Sequence, residues 1–123
     1  MKQLTQMLMA GLFLMIGSDV LAQYKGPGAA SKFFTVKEVT QQASKLDRHD
    51  TPVKLQGFII QQVNGETYWF QDATGKIKVE IEKKHLPATS FDEKTEVIIT
   101  GEVDHDLLEG TEIEVELIEL KKY

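Results

Sequence analysis

The residues best suited to recognition chemistry lie in and around TYWFQDATGKIKVEIE, residues 67–82. Trp69 is the single tryptophan of the 123-residue chain and stands in an aromatic triplet with Tyr68 and Phe70. An indole face can stack on a base or a sugar ring, and a neighbouring lysine, Lys78, can hold a carboxylate or phosphate. With their expected neighbours they form a candidate ligand-binding set: Phe58, Ile60, Trp69, Gln71 and Lys78. Asp104-His105-Asp106, with Glu109 and Glu112 close by, offers the oxygen-rich donors that divalent cations take. The run matches no EF-hand spacing, and adjacent residues on a strand point apart, so it reads as a solvated acidic turn. His49 and His85 stand in polar loops and are assigned no role. No nucleophile paired with a base, no carboxylate pair and no phosphate loop is recognisable, so no catalytic residue, metal or cofactor is assigned.

Strand patterning places these residues. In residues 76–82, Ile77, Val79 and Ile81 alternate with Lys76, Lys78, Glu80 and Glu82, the period of a half-buried strand. Residues 53–63, 66–71, 95–103 and 111–120 are the other four strands. Gly57 suggests a bend or bulge in the first. The change of phase from Val115 to Ile118 and Leu120 implies a bulge or second buried face in the last. Asn64-Gly65 reads as a two-residue type I′ turn, which sets Ile60 opposite Trp69 and Ile59 opposite Phe70. The turn at Asp72 to Gly75 sets Gln71 opposite Lys76, Phe70 opposite Ile77, Trp69 opposite Lys78 and Tyr68 opposite Val79. Both hairpins then send Tyr68, Phe70, Ile59, Ile77 and Val79 inward, and Phe58, Ile60, Trp69, Gln71 and Lys78 outward.

A helix is predicted over 35–46. Thr35 and Glu38 form a capping box, Phe34 can staple onto Val39, and Val36, Val39, Ala43 and Leu46 make one apolar stripe. The helix serves to cover an open end of the barrel. One helix and five short strands, with glycines in the first and fourth, suit a mainly β, small five-stranded OB-fold barrel with an N-terminal capping helix. The connection 83–94, the turn 104–110 and the Gly/Pro-rich segment 23–34, an arm carrying Tyr24, complete the domain.

The length allows one domain. Lys2, the uncharged apolar run 7–17 and Val20-Leu21-Ala22 have the layout of a secretory signal peptide cut after Ala22; a run of that length is too short to span a bilayer. The whole chain has 14 basic and 19 acidic residues; losing Lys2 and Asp19 with the leader leaves 13 and 18. An acidic, exported protein is a poor match for nucleic acid. The absence of cysteine excludes disulfides, zinc–thiolate sites and thiol catalysis.

Gly26-Pro27, Thr51 to Gly57 (TPVKLQG), Tyr68 to Gly75 (YWFQDATG), Val79-Glu80-Ile81, Gly101 to Asp104 (GEVD) and Glu112 to Val115 (EIEV) together resemble the bacterial OB-fold family of exported proteins, the YgiW/YdeI stress-tolerance type. The resemblance implies a non-enzymatic periplasmic protein associated with envelope or chemical stress, with no catalytic residues to carry over. His85-Leu86 and Trp69 depart from the family pattern. The expected ligand is an envelope component, a cell-wall fragment or a protein. The alternative is an interaction module whose Trp69 patch is covered by the arm, the helix or a second copy in a homodimer; nucleic-acid binding ranks last.

Overall fold

The computed structural model describes residues 32–121. The expected leader, residues 23–31 of the expected arm and the last two residues lie outside the described residues. Two short helices open the fold, α1 (Val36–Gln41) and α2 (Ala43–Arg48), in place of the single helix expected. The break falls at Gln42, whose ψ of 15° leaves the helical region. The capping box at Thr35 and Glu38 is present, and Phe34 and Val39 share one buried cluster.

Five strands follow: β1 (Pro52–Gln62), β2 (Thr67–Asp72), β3 (Gly75–Ile81), β4 (Glu96–Asp106) and β5 (Gly110–Leu120). They close into a barrel in the order β1-β2-β3-β5-β4. All neighbours are antiparallel except β3 and β5. The inward positions of every strand are apolar and buried, with Phe70, Leu55, Ile81, Ile99 and Ile113 completely enclosed. Burial of this alternating set is the main force closing the barrel.

The register between β2 and β3 is the one expected, from Asp72 opposite Gly75 to Tyr68 opposite Val79. The first hairpin differs. Its loop holds three residues, Asn64 to Glu66, because the Val63 N–H donates to the Thr67 carbonyl at 2.7 Å. Gly65 is not one of the two described glycines with positive φ, so the turn is not type I′. Instead the Asn64 Oδ1 accepts from the Glu66 and Thr67 N–H groups at 3.2 and 3.1 Å, an Asx closure. The extra loop residue is absorbed by a bulge at Ile60, after which Ile59 faces Phe70 as expected. Gly57 carries no bulge and lies in unbroken register with Val97. The phase change in β5 is a bulge: Thr100 pairs with Leu117 and Gly101 with Val115, leaving Glu116 over.

The β2–β3 turn also anchors α1. Asp72 accepts from the Val36 N–H at 2.9 Å and, through its other oxygen, from the Thr74 N–H at 2.8 Å. The Thr74 hydroxyl in turn accepts from the Lys37 N–H at 3.0 Å. These bonds satisfy helix donors that have no intrahelical partner. Asp72→Ala is therefore expected to cost about 1–2 kcal/mol, read as a lower urea midpoint with an unchanged slope.

Candidate functional site

On the outer face of β1–β3, cross-strand pairing builds two adjacent rows. Phe58, Gln71 and Lys76 form one, and Gln61, Trp69 and Lys78 the next. Side chains of neighbouring rows on a strand face are in reach of one another. Trp69 is half-buried, and the ammonium groups of Lys76 and Lys78 lie 4.7 and 5.7 Å from its ring centroid, within cation–π range.

Four of the five candidate residues, Phe58, Trp69, Gln71 and Lys78, thus share one face. Ile60 does not join Trp69: the bulge places Gln61 opposite Trp69. A bulged residue is re-aimed relative to its strand, and Ile60 instead lines a groove of about 420 Å³ with Ile59, Tyr68, Leu86 and Phe91, rimmed by Asp92 and Glu93. Lys76 is the residue that sequence reasoning left out of the set. Its signal was present, since it lies two positions before Lys78 on the same strand face.

The described end of the expected arm does not cover Trp69. Phe33 makes a parallel bridge to Lys54, the Phe34 N–H donates to the Lys54 carbonyl at 2.8 Å, and the Phe34 ring enters the core.

Asp104, His105 and Asp106 belong to β4, so the turn is shorter than expected and the strand longer. The Asp106 Oδ1 accepts from the Leu108 and Glu109 N–H groups at 2.7 and 3.0 Å. These bonds hold the Asp106 carboxyl below its usual range. The His105 ring Nδ1 pairs with the Thr111 hydroxyl at 3.0 Å, and the His105 backbone N–H donates to the Asp47 carboxylate at 2.9 Å. Among the described residues no three acidic or histidine side chains converge to hold a metal ion.

Acidic side chains form a stripe across β3, β5 and β4: Glu80 beside Glu114 beside Glu102, and Lys78 beside Glu112 beside Asp104. Desolvation, then Glu80 and Asp104, push the Glu112 carboxyl upward against the pull of Lys78. Desolvation, then Asp104 and Glu80, raise Glu114, and desolvation with Glu116, Asp50 and Glu114 raises Glu102. A raised carboxyl holds its proton more tightly in the folded chain. That stabilisation is complete below the ordinary 4.5 and is lost as pH rises through the raised value. The double substitution Glu112→Gln with Glu114→Gln is expected to raise Tm by about 2 °C at neutral pH. The gain should vanish below pH 4.5, as thermal melts across pH would record.

A closed five-stranded barrel in the order 1-2-3-5-4, preceded by short helices, defines an OB-fold. The chain belongs to the bacterial OB-fold (BOF) protein family, whose profile matches residues 20–120. It is 44% identical over 115 residues to the calcium-regulated OB-fold protein CarO of Pseudomonas aeruginosa, covering 94% of each chain. It is 34% identical over 83 residues to protein YgiW of Escherichia coli K12, covering 68% of this chain and 62% of that one. The solved E. coli ygiW structure superposes with a TM-score of 0.65, covering 80% of this chain and 97% of that one. CarO and YgiW carry no catalytic name.

Proposed function

We propose that this protein is a non-catalytic, periplasmic OB-fold binding protein that supports envelope or chemical stress tolerance. Its ligand is an envelope component, a cell-wall fragment, bound on the outer face of β1–β3. The observation that carries this reading is Trp69 with two ammonium groups in reach of its ring. A muropeptide combines sugar rings that stack on an indole with carboxylates that pair with lysine. The leader-like first 22 residues support export, and the acidic balance of the chain disfavours nucleic acid.

The test is a titration of Trp69 fluorescence with muropeptides, short oligonucleotides and calcium chloride in parallel. Saturable muropeptide binding, weakened at least about tenfold by Lys76→Ala with Lys78→Ala, is the expected result. No muropeptide response would remove the ligand assignment, and oligonucleotide binding that persists at moderate salt would replace it.

A second reading draws on the name of CarO, which speaks of calcium regulation. Here the stripe of Glu80, Glu102, Glu112 and Glu114 supports diffuse attraction of divalent cations rather than a coordinated ion. Calcium and magnesium chloride raising Tm equally would fit it.

A further inference from the structure

The geometry points to head-to-tail self-association, in which the Leu107-Leu108 tip of one chain enters the apolar groove beside Phe33 of a second copy. The tip joins β4 to β5, and its two leucines are 93% and 95% exposed. Scattered exposed leucines are ordinary; two adjacent ones on a fixed turn are not. The turn is fixed because Asp106 already accepts from the Leu108 and Glu109 N–H groups, and Gly110 adopts a φ of 94°. The tip can therefore enter an apolar site without orphaning those backbone donors.

The receiving groove, about 360 Å³, is formed by Phe33, Phe34, Gln56, Ala73 and Thr74, with Asp72. Charge complementarity selects the occupant. Asp106 and Glu109 flank the leucines, and Asp104 and Glu112 lie just behind them. At the groove, the Lys32 and Lys54 ammonium groups stand 5.0 and 5.1 Å from the Phe34 and Phe33 rings. Asp72, the one carboxylate in the lining, has both oxygens engaged by Val36 and Thr74. The other groove, beside Ile60, is rimmed by Asp92 and Glu93 and would repel the same tip.

Tip and groove are different surfaces, so each added copy leaves one of each free, and the contact propagates into chains or rings. A contact below roughly 1,000 Å² is weak, so association should appear between about 10 μM and 1 mM.

Sedimentation of the mature chain over that range provides the test. The wild type should grow with concentration, while L107S/L108S, lacking the tip, and F33D/K54E, with an acidic groove, should each stay monomeric. Far-UV circular dichroism checks that both variants are folded. An equimolar mixture of the two should form a dimer and nothing larger, because one intact tip meets one intact groove. A wild type that stays monomeric throughout, or a mixture that stays monomeric while the wild type assembles, would overturn the proposal. So would loss of binding to phosphatidylethanolamine–phosphatidylglycerol vesicles in L107S/L108S with no self-association in the wild type, which would assign the tip to lipid.

Discussion

Gly101→Ala is expected to lower Tm by about 12 °C or more. A Cβ at this position would be driven into the Glu114 carbonyl, with the Glu114 carbonyl carbon at 2.9 Å and the Val115 Cα at 3.0 Å. These are backbone atoms of the paired strand, so no side-chain rotation relieves the clash. The site lies at the β4–β5 bulge, where the ladder has already taken up an extra residue. Gly57 is built alike, with the Gln71 carbonyl and the Phe70 ring in the path of a Cβ. Overpacking of this kind costs about 3 kcal/mol or more, a large part of the roughly 5–15 kcal/mol that holds a domain folded. Gly65→Ala is the control: a Cβ there meets nothing within 4 Å, and a change within about 0.5 kcal/mol is expected. Thermal melts followed by circular dichroism compare the three.

Phe70→Ala and Trp69→Ala should separate sharply although the residues are adjacent. Phe70 is completely enclosed and pairs with Ile59 and Ile77 across both neighbouring strands. Truncating it removes apolar burial and leaves a cavity, for a loss of about 3–5 kcal/mol. Trp69 faces outward and half-buried, and its lysine contacts are worth about 0.5–1 kcal/mol each at an exposed site. Its loss should shift the urea midpoint little while abolishing the muropeptide binding proposed for this face. A Trp69→Ala protein as destabilised as Phe70→Ala would make the residue part of the core instead.

The contrast between Phe70 and Trp69 was legible in the sequence because side chains on a strand alternate with a period of two. The change of phase in β5 was legible for the same reason, and the pairing with β4 decided for a bulge over a second buried face. The position of Ile60 was not legible. Asn64-Gly65 carries the signature of a two-residue turn, but the Asn64 side chain closes a three-residue loop. That added residue shifts the pairing by one until the Ile60 bulge restores it. The local signal was outweighed by the burial of Ile59 against Phe70, which a one-residue slip would have reversed.

By itself the sequence determined the inner face of each strand, the β2–β3 register, the capping box and hence the five-stranded barrel. Each of these rests on local spacing, and the apolar alternation leaves one way to bury it. The tertiary structure decided which outer residues meet. It sent Ile60 to a groove with Leu86 and Phe91, seated Phe33 beside Lys54, and set Glu80, Glu114 and Glu102 in one row. Those neighbours come from strands far apart in the chain, and their pairing depends on loop lengths and bulges that satisfy backbone hydrogen bonds.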